Sequence, residues 1–203
     1  MGLISIREDE IIRTIQTFST PALNWFFFGI TQLGSWIFFI ILVVALFING
    51  KRKHAILLAS ILLFGSYFIV NPLKLLIGRP RPTLQIFDHV STTNPSMPSG
   101  HAFSSFAVAT YAILHNLSLR KKSAYYTYAV LVSISRVYFG VHWPSDVVVG
   151  AILGIFTSIA VHTNYLRCWE FFNKLSQRKK VIIVMLIGVG LGISICLTYV
   201  GSQ

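Results

Sequence analysis

Lys74, Arg79 and Arg81 crowd one short stretch that also holds Gly78, Pro80 and Pro82. Pro98-Ser99-Gly100-His101 forms a second cluster, and Ser135-Arg136 with His142 and Asp146 a third. Three cations, Lys74, Arg81 and Arg136, suit an anion with several oxygens, because arginine meets such oxygens two at a time. Ser99, Gly100 and His101 open a predicted helix. Free backbone N–H groups and the helix dipole there attract negative charge, and glycine admits close approach. His142 and Asp146 stand four residues apart and share a face if that segment is helical. Pro144 suits the first helical turn. A carboxylate on one imidazole nitrogen fixes the tautomer and frees the other to attack. His101 is then placed to protonate a leaving oxygen and to activate water afterwards. The chemistry is phosphoryl transfer, which depends on positioning and on neutralising charge at the equatorial oxygens.

Taken singly, each residue has an ordinary structural role. Lys74 and Arg136 are snorkelling cations at helix ends, Asp146 complements a helix dipole, and Pro-Ser-Gly is a common turn. Their combination at these spacings carries the chemical reading.

The elements that must position them are hydrophobic. Of 203 residues, 54% are apolar and only 11% charged, against about a quarter charged in soluble domains. Spanning a bilayer takes roughly 20 apolar residues. Runs over 25–48, 55–77, 101–117, 124–141, 147–165 and 181–200 meet or approach that length. An all-α polytopic membrane bundle of six transmembrane helices follows, forming one domain over residues 1–203. Ile4, Ile11, Ile12, Ile15 and Phe18 recur at helical spacing, predicting a short N-terminal interfacial helix. The charges within 3–18 do not suit a secretory signal. Gly150 and Gly154, and Gly188, Gly190 and Gly192, read as close helix packing.

The net charge of +11 comes in clusters between apolar runs, which argues for a membrane topology and against nucleic-acid binding. Lys51, Arg52 and Lys53, then Arg120, Lys121 and Lys122, then Arg167, Lys174, Arg178, Lys179 and Lys180 fall in loops on one face. That face is expected to be cytoplasmic, which puts the chemical residues and both termini outside the cell membrane. Cys168 and Cys196 offer neither a disulfide framework nor a thiolate metal site. Asp88 and Asp146, the only carboxylates in the outer loops, are too few for a two-metal phosphatase.

The three clusters resemble the signature of the type-2 phosphatidic acid phosphatase superfamily. Lys74 is followed after six residues by Arg81-Pro82; Pro98-Ser99-Gly100-His101 comes next; Ser135-Arg136 is followed after five by His142 and after three more by Asp146. The resemblance covers 74–146 without departure. It implies that His142 is a nucleophile forming a phosphohistidine, that Asp146 orients it, and that His101 is general acid and then base. It further implies that Lys74, Arg81, Ser99, Gly100 and Arg136 bind phosphate, with no metal or other cofactor. Arg79 and His89 match no position of that signature. The expected substrates are membrane lipid phosphates and diphosphates, among them phosphatidylglycerol phosphate, undecaprenyl pyrophosphate and phosphatidic acid. A soluble vanadate-dependent haloperoxidase shares the signature but not the apolar runs, and a non-catalytic lipid transporter is the reading from another class.

Overall fold

The computed structural model describes residues 2–86, 94–115 and 118–174. Among them every regular element is helical. In chain order these are α1 (Gly2–Gln16), α2 (Pro21–Gln32), α3 (Trp36–Ile48), α4 (Arg52–Gly65), a π-helical turn (Ser66–Val70), α5 (Asn71–Ile77), α6 (Gly100–Leu114), α7 (Leu119–Tyr138) and α8 (Pro144–Lys174).

Arg52–Ile77 and Pro144–Asn164 are each long and apolar enough to cross a membrane. The run over 25–48, expected as one helix, is instead two, α2 and α3, bent by 48° and counting as a third span if taken together. Gly34 packs so closely that a Cβ there would meet Val132 at 2.5 Å and His101 at 3.0 Å. Ser35 caps the new helix, its Oγ accepting the N–H of Phe38 at 3.3 Å. Tyr128 donates its hydroxyl to the Leu33 carbonyl at 2.6 Å, supplying a partner that the broken helix does not. The runs 101–117, 124–141 and 147–165 correspond to α6, α7 and α8; 181–200, with Gly188, Gly190, Gly192 and Cys196, lies outside the described residues.

The π turn precedes Pro72, which has no N–H to return to the carbonyl four residues back. Such wide turns absorb a misfit in the helical ladder, and α5 continues beyond with Lys74 on it.

Helix α6 is the centre of the bundle, packed against α4, α7 and α8. Phe39, Leu58, Ile61, Ala107 and Val108 form an apolar core where α3, α4 and α6 meet. Between α6 and α8 the backbones themselves touch. A Cβ on Gly150 would lie 2.4 Å from the Ser99 carbonyl oxygen, and one on Gly154 2.3 Å from that of Phe103. This is the small-residue packing the sequence predicts, and it brings the start of α6 against the start of α8.

Helix α1 lies across the end of the bundle where α6 and α8 begin. Its Ile12 is fully buried against Ala102, Val137, Trp143 and Val147. Gln16 donates to the carbonyls of Leu84 at 2.7 Å and Tyr138 at 3.1 Å. Ile11 and Phe18 stay exposed, so the stripe expected to face a membrane interface is divided between protein and surroundings. At the opposite end of the bundle, His54 stacks near His115 with ring centres 4.7 Å apart. The basic stretches 51–53 and 120–122 therefore share one end, away from the three clusters.

Candidate active site

The loop between α5 and α6, the loop between α7 and α8, and the first turns of α6 and α8 converge. Ser99 caps α6, its Oγ accepting the Ala102 N–H at 3.5 Å. Its own N–H donates to the Asp146 carbonyl at 3.0 Å. The anion-binding turn and the carboxylate are thus joined main chain to main chain.

His142 and Asp146 are both buried. Nδ1 of His142 lies 3.5 Å from Oδ2 of Asp146, within ion-pair range but without a formed hydrogen bond. That oxygen accepts the Trp143 N–H at 2.9 Å. On the other side of the ring, Nε2 lies 3.3 Å from an amino group of Arg81. A guanidinium only donates, so Nε2 presents its lone pair and the proton sits on Nδ1, toward the carboxylate. This is the tautomer that leaves Nε2 free to attack.

The cations are held by main-chain oxygens. Lys74 donates to the carbonyls of Pro95 at 2.5 Å and Ser96 at 3.3 Å. Arg81 donates to the carbonyls of Asn94 at 2.6 Å and Val141 at 2.5 Å. Arg136, 4% exposed, donates to Thr31 Oγ1 on α2 at 2.8 Å. Its Nε is buried with no partner. An orphaned charged donor in the interior is costly, and an anion among these groups would satisfy it. His101 packs against Gly34, within electrostatic reach of Arg136, His142, Arg81 and Lys74.

Burial lowers the pKa of His142 well below its ordinary value, and Arg136, Arg81 and Lys74 push it the same way, against a hydrogen bond with the Ser96 backbone. The ring is therefore neutral at neutral pH. Burial also draws the Arg81 guanidinium down to about 10, with Asp146 acting in the opposite sense; it still carries its charge at neutral pH.

All eight residues singled out from the sequence meet here. Arg79 was passed over there, yet it is paired with two carboxylates, one of them Asp146. It donates to Asp146 Oδ1 at 2.8 Å, to Glu8 Oε2 at 2.5 Å and to Ser145 Oγ at 2.6 Å. Its guanidinium lies 5.1 Å from the Trp143 ring centre. Glu8, on α1, is only 6% exposed. Its signal in the sequence is that Glu8, Ile12 and Ile15 share one helical stripe, where a carboxylate needs a partner. His89 lies outside the described residues. Among the described residues, no three of His, Cys, Asp and Glu are grouped to hold a metal ion.

The profile of the PAP2 superfamily matches residues 53–170. Phosphatidylglycerophosphatase B of Bacillus subtilis is 35% identical over 162 residues, which span 73% of this chain and 78% of that one. An undecaprenyl-diphosphatase of Sulfolobus acidocaldarius is 43% identical over 91 residues, 44% of this chain and 37% of that one. The crystal structure of a transmembrane PAP2-type phosphatidylglycerolphosphate phosphatase from Bacillus subtilis superposes with a TM-score of 0.68 at 30% identity. That match covers 87% of this chain and 90% of the other.

Proposed function

The chain belongs to the PAP2 superfamily, its relatives named above are phosphatases, and from that premise we propose that it hydrolyses lipid phosphates through a phosphohistidine on His142. The observation that carries this reading is the two-sided setting of the His142 ring, Nδ1 toward Asp146 and Nε2 toward Arg81. In the first step Nε2 attacks phosphorus, and the bond from phosphorus to the lipid oxygen breaks. His101 gives its proton to that oxygen, and Asp146 balances the positive charge left on the phosphorylated ring. Lys74, Arg81, Arg136, the Ser99 hydroxyl and the N–H of Gly100 neutralise the equatorial oxygens. In the second step His101 takes a proton from water, the water oxygen bonds to phosphorus, and the P–N bond breaks. Inorganic phosphate leaves and His142 is neutral again.

The substrates proposed are phosphatidylglycerol phosphate, undecaprenyl pyrophosphate and phosphatidic acid, with broad specificity among them. The two named relatives, one for each of the first two lipids, support that range. We place the protein in the cell membrane with six spans, the active site and both termini on the extracytoplasmic side. The shared end of the basic stretches 51–53 and 120–122, opposite the site, supports this orientation. The reaction is proposed to need no metal, since three protein cations and an imidazole nucleophile cover the roles an ion would take.

The test is phosphate release from purified protein in detergent with EDTA present, using the three lipids and the His142→Ala variant alongside. Release that survives EDTA and vanishes in the variant is expected. Release lost to EDTA, or retained by His142→Ala, overturns the mechanism; hydrolysis of water-soluble esters alone overturns the substrate class.

A further inference from the structure

Glu8 is a buried carboxylate on a helix whose neighbouring Arg7 and Glu10 are exposed. Its two oxygens are both engaged. Oε2 accepts a hydrogen bond from Arg79 at 2.5 Å, and Oε1 accepts the Ser145 N–H at 2.8 Å. Ser145 lies in the first turn of α8, where backbone donors lack partners within the helix and negative charge is favoured. Arg79 in turn reaches Asp146 Oδ1 at 2.8 Å, and Asp146 Oδ2 faces His142 Nδ1. Four groups of alternating character, Glu8, Arg79, Asp146 and His142, thus form a line from the N-terminal helix to the imidazole.

We propose that Glu8 is a positioning residue for His142, acting through Arg79 on the carboxylate that orients the ring. This rests on the reading of His142 as nucleophile. Glu8 sets how much of the Arg79 charge is left to bear on Asp146, and it fixes the start of α8, which carries Asp146. Holding α1 in place does not require it, because Ile12 is fully buried beneath that helix and Gln16 is bonded to Leu84 and Tyr138. The other groups facing His142 are Arg136 from α7, Lys74 from α5, Arg81 from the following loop and His101 from α6.

The sign of the effect separates charge tuning from simple support. Removing the negative charge in Glu8→Gln leaves the Arg79 cation less compensated, which disfavours a proton on His142. The acid limb of kcat/KM then moves to lower pH. Arg79→Gln has the opposite effect, leaving Asp146 uncompensated and moving the limb to higher pH. The experiment measures kcat/KM against pH for phosphatidic acid in detergent micelles, with the full chain as wild type, Glu8→Gln, Arg79→Gln, the double variant and Ile12→Ala. Shifts of opposite sign are expected from the two single variants. Most of the Glu8→Gln shift should disappear in the Arg79→Gln background, and Ile12→Ala should leave the limb at its wild-type position. An unmoved acid limb in Glu8→Gln overturns the proposal, as does persistence of more than half its shift without Arg79. If Glu8→Gln is not recovered folded, Glu8→Asp should shift the limb the same way but less, and a wild-type limb there overturns it equally. His142→Ala run in parallel keeps the two ideas apart. Activity retained in that variant refutes the nucleophile, whereas an inactive His142→Ala with an unmoved Glu8→Gln profile refutes only the role of Glu8.

Discussion

Arg136 on α7 donates to the hydroxyl of Thr31 on α2 across 2.8 Å, and both side chains are buried. Thr31 lies one turn before the break between α2 and α3, so the bend in that apolar run brings a polar partner to a phosphate-binding arginine. Hydrogen bonds to charged groups contribute about 1.5–3 kcal/mol, which corresponds to roughly ten- to a hundredfold. Thr31→Val should lower kcat/KM for lipid phosphate by about that factor, with Thr31→Ser close to wild type. Equal activity in all three proteins would show that Arg136 holds its place without Thr31.

The acid limb of the pH profile should lie below pH 6.5. His142 must be neutral to attack, and burial with Arg136, Arg81 and Lys74 nearby lowers its pKa. kcat/KM therefore rises with pH through that lowered value. Stability follows the same sign. The unfolded chain takes up a proton at about 6.5 that the folded chain refuses, so the contribution of the buried neutral ring is full above that pH. It is lost progressively as pH falls from there toward the folded value. Profiles of phosphate release and of thermal unfolding in detergent check both statements, and an acid limb at or above 6.5 would contradict the setting described.

Asp146→Asn keeps the shape of the side chain but not the acceptor-only carboxylate facing Nδ1. Turnover should fall by about 10³–10⁴, the scale seen where a carboxylate orients a catalytic histidine. Arg81→Ala should cost roughly 10²–10³, the scale of losing one donor to a developing negative charge. Arg81→Lys should recover little, since Arg81 spreads its donors over Asn94, Val141 and Nε2 of His142. Rates within tenfold of wild type for either alanine or asparagine variant would remove that residue from the reaction.

Gly150→Ala places a carbon 2.4 Å from the Ser99 oxygen. Helices α6 and α8 would have to separate, at a cost of roughly 1–3 kcal/mol. Lower thermal stability in detergent should come with a loss of activity larger than stability alone explains, because Ser99 and Asp146 are bonded across the same seam. Unchanged melting would mean the seam opens freely.

The eight clustered residues were legible because their types and order are local properties of the chain. The break at Leu33-Gly34-Ser35 was not legible from hydropathy, which stays high on both sides; Gly-Ser in an apolar run is its only local mark. Arg79 was missed for a different reason. Its partners, Glu8 and Asp146, are separated from it by 71 and 67 positions, and no pattern near residue 79 announces them. Packing of α1 was half legible, since its apolar stripe was seen but not the carboxylate within it.

The ion pair between Glu8 and Arg79 also bears on how the protein is made. Synthesis runs from the N-terminus, so both residues leave the ribosome well before Asp146 does. Glu8 is thus available as a counter-charge to Arg79 before Asp146 has been made.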